Sequence, residues 1–173
     1  MSAGAFKPCL AFTLEWEGGW SDDPQDPGGA TMQGITLSTY SSFLGRQATK
    51  DELRNIPEED RDLIYLVHYW DPVQAERLPS GVDLVTFDAA VNSGVSRAAR
   101  WLQLAVGADT DGIVGEETVS ACLSADPVKT IDTVCELRLD FMRSLPTWSR
   151  FGAGWQRRVE AARALAKEMA HAT

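Results

Sequence analysis

The sequence predicts a mainly α-helical protein with a small loop or β-hairpin region near its N-terminus. Turn signals divide most of the chain into stretches of helical length, and no strand-like alternation of useful length appears between them. One segment differs. Residues 20–35, WSDDPQDPGGATMQGI, are so rich in Gly, Pro and Asp that a regular helix cannot form there.

The elements of the first half follow from local signals. The first predicted helix begins near Pro8 and ends at Gly18-Gly19. Short strands are expected around Trp20 and residues 32–35. Thr36 then provides an N-cap for the helix LSTYSSFLG.

Two further helices complete this half. Thr49 and Glu52 have the spacing of a capping box, in which each side chain accepts a hydrogen bond from the other residue's backbone N–H. Pro57 opens a longer helix through EEDRDLIYLVHYW.

The second half begins after Leu78-Pro79-Ser80-Gly81 and consists of helices joined by short turns. A seam near residues 79–95 is expected to separate two lobes, 1–93 and 94–173, packed as one compact unit. The predicted helices cover residues 83–92, 96–106, 116–124, 128–144 and 155–170.

Composition narrows the classes of function. The formal net charge of −9 argues against a nucleic-acid partner, which requires a basic face. No stretch approaches the roughly 20 apolar residues of a membrane span, so no stable membrane association is expected. The N-terminus has no basic region typical of a secretory signal, which predicts synthesis in the cytoplasm. The three cysteines match no metal spacing and are expected to be buried, reduced thiols, and no metal or cofactor is implied.

Glu17 is the first candidate for catalysis. On a helix it shares a face with Leu10, Thr13 and Leu14, and it lies in the last turn before the double glycine. Apolar neighbours and the negative end of a helix dipole both favour the protonated form of a carboxyl. A protonated carboxyl can donate to the leaving oxygen of a glycosidic bond. The alternative is a surface glutamate near a helix end.

The loop that follows supplies a second carboxylate. Asp26 lies nine residues after Glu17, and Thr31 five residues after Asp26. Glycoside hydrolysis uses such a pair, one carboxyl as acid and the other to activate a water or stabilise the transition state. A threonine hydroxyl can help to hold the water. Asp22 and Asp23 are interpreted as residues of a solvated turn.

The run EGGWSDDPQDPGGATMQGIT, which begins at Glu17, resembles the motif of glycoside hydrolase family 108, a group of lysozyme-like N-acetylmuramidases. The resemblance implies a two-lobed lysozyme-like fold in which Glu17 is the catalytic glutamate and 1–93 is the catalytic lobe. The order of Glu17, Asp26 and Thr31 is similar to the Glu–Asp–Thr triad of phage lysozymes. Residues 87–118 and 141–159 resemble the family's predicted peptidoglycan-binding region and its Trp- and Arg-bearing C-terminal part, which makes 94–173 a peptidoglycan-binding-like lobe.

The resulting hypothesis is a monomeric muramidase that cleaves the β-1,4 bond between N-acetylmuramic acid and N-acetylglucosamine in the glycan strands of peptidoglycan. Trp20 is expected to stack on sugar rings in the cleft, and Asn92 to hydrogen-bond there. The enzyme would reach the wall after export or lysis, as a phage endolysin or a bacterial autolysin. A lytic transglycosylase and a non-catalytic wall-binding or secretion-assisting protein remain alternatives.

Overall fold

A computed structural model describes residues 4–173, so residues 1–3, the start of the segment predicted not to be a signal, lie outside the described part. Within that part the chain forms nine α-helices and one three-stranded antiparallel sheet, which confirms the mainly α fold class. The chain divides into two compact units. The smaller is Leu10–Val67, and the larger combines the segment up to Cys9 with His68–Thr173. Neither division falls at residue 93, and the assignment of 1–93 and 94–173 to catalysis and wall binding stays a prediction.

The first helix, α1, is followed by the sheet and three short helices of the smaller unit. Helix α1 ends at Trp16, and Glu17 separates it from Gly18 and Gly19, close to the predicted end. The elements in order are α1 Phe6–Trp16, β1 Trp20–Ser21, β2 Thr31–Met32, β3 Ile35–Thr36, α2 Leu37–Leu44, α3 Lys50–Arg54 and α4 Glu58–Tyr65.

The sheet contains a tight hairpin turn in the region where the sequence predicts a loop or β-hairpin. Residues 32–35 do not form one strand, because Gln33 and Gly34 make a two-residue turn between β2 and β3. Both have positive φ angles, 48° and 79°, as a type I′ hairpin turn requires. The turn reverses the chain and carries β3 directly into α2.

Side-chain caps fix the starts of α2 and α3. The Thr36 hydroxyl accepts the backbone N–H of Thr39 at 3.1 Å. In the capping box, the Glu52 N–H donates to the Thr49 hydroxyl at 3.1 Å and the Thr49 N–H donates to the Glu52 carboxylate at 2.8 Å. Both predicted caps are therefore confirmed.

The larger unit is a group of helices packed around α5. A π-helical turn, Leu66–Trp70, continues α4, and a 3₁₀ turn, Ala75–Arg77, precedes α5. Helix α5 packs on α6, α8 and α9, and α8 packs on α9. The α-helices are α5 Val82–Ser93, α6 Val95–Val106, α7 Glu116–Ser124, α8 Pro127–Arg143 and α9 Trp148–His171.

Helix α5 carries a buried charged group at the centre of this unit. Asp88 is completely buried, and its carboxylate accepts from Arg138 Nη1 at 2.8 Å and from Arg158 Nη2 at 2.9 Å. Burial alone would raise the pKa of Asp88, but the two guanidinium groups outweigh this effect and hold the pKa below its usual value. The carboxylate therefore ties α5 to α8 and α9.

All three cysteines are free and buried, as predicted. Burial raises the pKa of Cys122 and of Cys135 to about 11, and it raises the pKa of Cys9 further. No helix within residues 4–173 is both long and apolar enough to cross a membrane.

Candidate active site

Glu17 lies one residue beyond α1, where its backbone N–H still donates to the Thr13 carbonyl at 3.2 Å. Burial along this face decreases toward the glutamate. Leu10 and Thr13 are buried, while Leu14 and Glu17 are half-buried. Glu17 therefore lies at the end of a partly buried helix face and is itself accessible to solvent.

The Glu17 carboxyl lies against the hairpin turn. A Cβ atom placed on Gly34 would be 2.9 Å from Glu17 Oε2 and 2.8 Å from the Tyr65 hydroxyl oxygen. The carboxyl and the phenol therefore lie close to each other, with the bare backbone of Gly34 between them. Any larger residue at position 34 would push against both.

Tyr65, the last residue of α4, is buried and held in place by the same turn. Its hydroxyl donates to the Gln33 carbonyl at 2.5 Å. Sequence reasoning identified neither Tyr65 nor Gly34. The pair Gln33-Gly34 is a weak turn signal, and Tyr65 follows Glu17 by more than forty residues, so only the fold brings them together.

Asp26 is exposed, and its carboxylate takes part in the structure of its own loop. Asp26 Oδ1 accepts the Gly28 N–H at 2.8 Å, and the Asp26 carbonyl accepts the Gly29 N–H at 3.0 Å. These bonds are typical of an Asx turn. Its predicted role beside a catalytic water stays a prediction.

The register of the sheet separates Thr31 from Trp20. Trp20 pairs with Met32, and Ser21 pairs with Thr31. Directly paired residues share a face and successive residues alternate, so Thr31 and Trp20 lie on opposite faces of the sheet. Thr31 also pairs with Thr36, which gives one face a row of three hydroxyl side chains.

Trp20 is half-buried, and a cation covers part of its ring. The Arg54 guanidinium carbon lies 5.7 Å from the ring centroid. This contact joins β1 to α3, so stacking on a sugar is left to the remaining surface of the ring.

Asp22 and Asp23 are exposed, as expected for residues of a solvated turn, and each has a partner. The Asp22 carboxylate pairs with Lys50 Nζ at 3.0 Å, and Asp23 Oδ1 accepts the Gln25 N–H at 2.9 Å.

Asn92 belongs to the larger unit, unlike Glu17. Its Oδ1 accepts from Arg138 Nη2 at 3.0 Å, and it lines a cavity of about 400 Å³ together with residues of α6, α8 and α9. Within residues 4–173, no cluster of three or more His, Cys, Asp or Glu side chains is arranged to hold a metal ion.

A helical fold with a small sheet, and a half-buried glutamate directly after the first helix, define a lysozyme-like protein. The sequence profile described as glycosyl hydrolase 108 matches residues 10–94. A solved structure, that of Brucella abortus SagA, is similar over 98% of this chain and 97% of its own, with 38% identity and a TM-score of 0.86. A comparison with curated protein sequences found no match.

The chain therefore belongs to the glycosyl hydrolase 108 family. Membership supports a glycoside hydrolase that acts on peptidoglycan.

Proposed function

We propose that this protein is a muramidase that hydrolyses the β-1,4 bond between N-acetylmuramic acid and N-acetylglucosamine, with Glu17 as the general acid. The observation that carries the proposal is the position of the Glu17 carboxyl, half-buried against Gly34 and the Tyr65 hydroxyl in a chain of this family.

Glu17 donates its proton to the glycosidic oxygen as the bond to the muramic acid breaks. Because the side chain is half-buried, access to solvent lets the carboxylate regain a proton after the bond has broken. Tyr65, fixed by its bond to the Gln33 carbonyl, limits the positions that the carboxyl can adopt.

Asp26 and Thr31 would act on the water that completes hydrolysis. Asp26 would have to keep a carboxylate oxygen available while Oδ1 accepts the Gly28 N–H. A carboxylate has about four acceptor sites, so one loop bond leaves capacity for a water.

The loop bonds of Asp26 also favour a second candidate, a lytic transglycosylase. In that reaction a single glutamate suffices, because the muramic acid 6-hydroxyl closes on its own anomeric carbon and no water is consumed. An Asp26 committed to its own loop is compatible with this chemistry. The product then ends in a 1,6-anhydro sugar.

Digestion of purified sacculi tests both candidates. The variants are Glu17→Gln, which keeps the shape but removes the proton, and Glu15→Gln as the matched control, because Glu15 is an exposed residue of α1 only two positions earlier. We expect Glu17→Gln to lose about 10²-fold or more in rate and Glu15→Gln to match wild type.

Mass spectrometry of the products separates the outcomes. Reducing-end N-acetylmuramic acid supports the muramidase, and 1,6-anhydro ends support the transglycosylase. If sacculi bind the wild-type protein but stay intact, the protein is a non-catalytic wall-binding protein.

We also propose that the enzyme reaches the wall by export or by lysis. Release from intact cells, compared with release during lysis, tests that step.

A further inference from the structure

The cavity of the larger unit has one apolar wall and one polar wall. Asn92, Ser93 and Arg97 supply polar groups, and the remaining lining residues are apolar or aromatic: Phe141, Met142, Leu145 and Trp155. Such mixed lining suits a ligand that carries both alkyl groups and polar groups.

The polar wall offers hydrogen-bond donors in a fixed arrangement. Asn92 Oδ1 accepts from Arg138, which is buried, so the Asn92 amide nitrogen is oriented as a donor. The Arg97 guanidinium lies 4.0 Å from the centroid of the Phe141 ring, and its Nη1 donates to the Ser93 carbonyl at 3.0 Å. The guanidinium is therefore positioned before a ligand arrives.

Arg97 is the charged residue among those that line this cavity, although the chain as a whole has a net charge of −9. Among the ion pairs of the described residues, Arg97 has no carboxylate partner, and neither does Arg150. The Arg150 guanidinium lies 4.8 Å from the Phe151 ring, which in turn stacks on Trp155 of the cavity wall. An arginine in the lining of a cavity that has no carboxylate partner suits an anionic ligand.

We propose that this cavity binds a carboxylate of the stem peptide that muramic acid carries in peptidoglycan, with Arg97 as the determinant of specificity. This inference rests on the proposed function for the substrate class. A guanidinium donates two parallel hydrogen bonds to a carboxylate, and the peptide's alkyl groups fit the apolar wall. An uncharged sugar ring would use the aromatic wall but not the arginine.

Binding of soluble probes to the full chain tests the proposal without bond cleavage. The protein carries Glu17→Gln, so that no probe is cleaved. The probes are a stem tripeptide of alanine, γ-linked glutamate and diaminopimelate, the same tripeptide with its carboxylates amidated, and chitotetraose. Calorimetry measures the affinity for each probe.

Two substitutions of equal charge change are compared. Arg97→Gln removes the determinant. Arg100→Gln is the control, because Arg100 lies on the same helix, is exposed and does not line the cavity. We expect the acidic tripeptide to bind at least about 10-fold more tightly than the amidated one. Arg97→Gln should abolish this preference and Arg100→Gln should keep it.

Equal affinity for the two tripeptides, an unchanged preference in Arg97→Gln, or binding of chitotetraose alone would each overturn the proposal. Digestion of sacculi by the wild-type protein is measured separately. If the wild-type protein cleaves sacculi but shows no preference for the acidic tripeptide, the cavity does not bind the carboxylate and the muramidase proposal stands. If the protein prefers the acidic tripeptide but leaves sacculi intact, the muramidase proposal is refuted and the cavity still binds the peptide.

Discussion

Replacing Gly34 by Ala tests whether the hairpin turn sets the position of the Glu17 carboxyl. A Cβ at this position would be 2.9 Å from Glu17 Oε2 and 2.8 Å from the Tyr65 hydroxyl oxygen. Ordinary carbon–oxygen contacts begin near 3.4 Å, so each side chain must move by about 0.5 Å. A catalytic group misplaced by about 1 Å can lose about 10²-fold in rate, so half that displacement predicts a loss of about 10-fold in kcat.

The substitution also strains the backbone, and this effect needs its own control. Gly34 has a φ of 79°, where an alanine costs about 1–2 kcal/mol. Gly45, which ends α2, has a φ of 70° and open space around its Cβ position. Gly45→Ala therefore carries similar backbone strain without the contacts to Glu17 and Tyr65.

Both variants are assayed for digestion of sacculi and for urea unfolding. We expect similar losses of stability, with the loss of kcat confined to Gly34→Ala. Full activity in Gly34→Ala, at a stability matching Gly45→Ala, would show that the turn does not position the glutamate.

Three further substitutions concern stability in the larger unit. Gly81→Ala should destabilise the protein by several kcal/mol more than Gly45→Ala in urea unfolding, because its Cβ would overlap the Ala166 carbonyl oxygen, and equal effects would contradict that contact. Burial raises the pKa of Asp83 to about 6, so the folded state holds this proton more tightly than the unfolded state, and the stability it provides in acid is lost as the pH rises from about 4 to 6. Asp83→Asn should therefore gain up to about 3 kcal/mol at pH 7.5 and flatten the stability profile between pH 4 and 6, whereas an unchanged profile would exclude Asp83 as its source. Asp88→Asn should cost about 3–5 kcal/mol, since two buried guanidinium groups lose their counter-charge, and a thermal midpoint near wild type would refute that role.

The elements that the sequence located best are those whose signals are local. Thr36 and the pair Thr49 and Glu52 act within one helical turn, so spacing alone predicts their hydrogen bonds. Helix α7 was predicted at 116–124, where the structure has it, because a glycine and acidic residues mark its start.

Helix α9 shows why local signals also fail. Its start at Trp148 lies seven residues before the predicted one at 155, and the additional segment contains Gly152 and Gly154, which are unfavourable inside a helix. In the structure Gly152 is buried against the Trp148 ring, where no side chain would fit. The glycine serves packing inside the helix, and only the folded chain reveals that use.

The residues of the candidate site also fall into those that local sequence signals predict and those that only the fold brings together. Glu17 was found from its helical face and the following glycines, which are adjacent in sequence. Gly34 and Tyr65 depend on a hairpin turn and on the end of α4, so no spacing rule reaches them. The cluster of Asp88, Arg138 and Arg158 joins helices 50 and 70 residues apart and was likewise beyond local reasoning.

The three buried cysteines can report local opening of the fold, because each becomes accessible to a thiol reagent only when its surroundings open. The thiolate is the form that attacks an alkylating reagent, and the raised pKa of each thiol keeps that form scarce while the fold is closed. Cys9, Cys122 and Cys135 lie on α1, α7 and α8, so labelling followed by peptide mapping would time the exposure of three separate helices. The order in which they become labelled would reveal which part of the larger unit opens first, without any introduced probe.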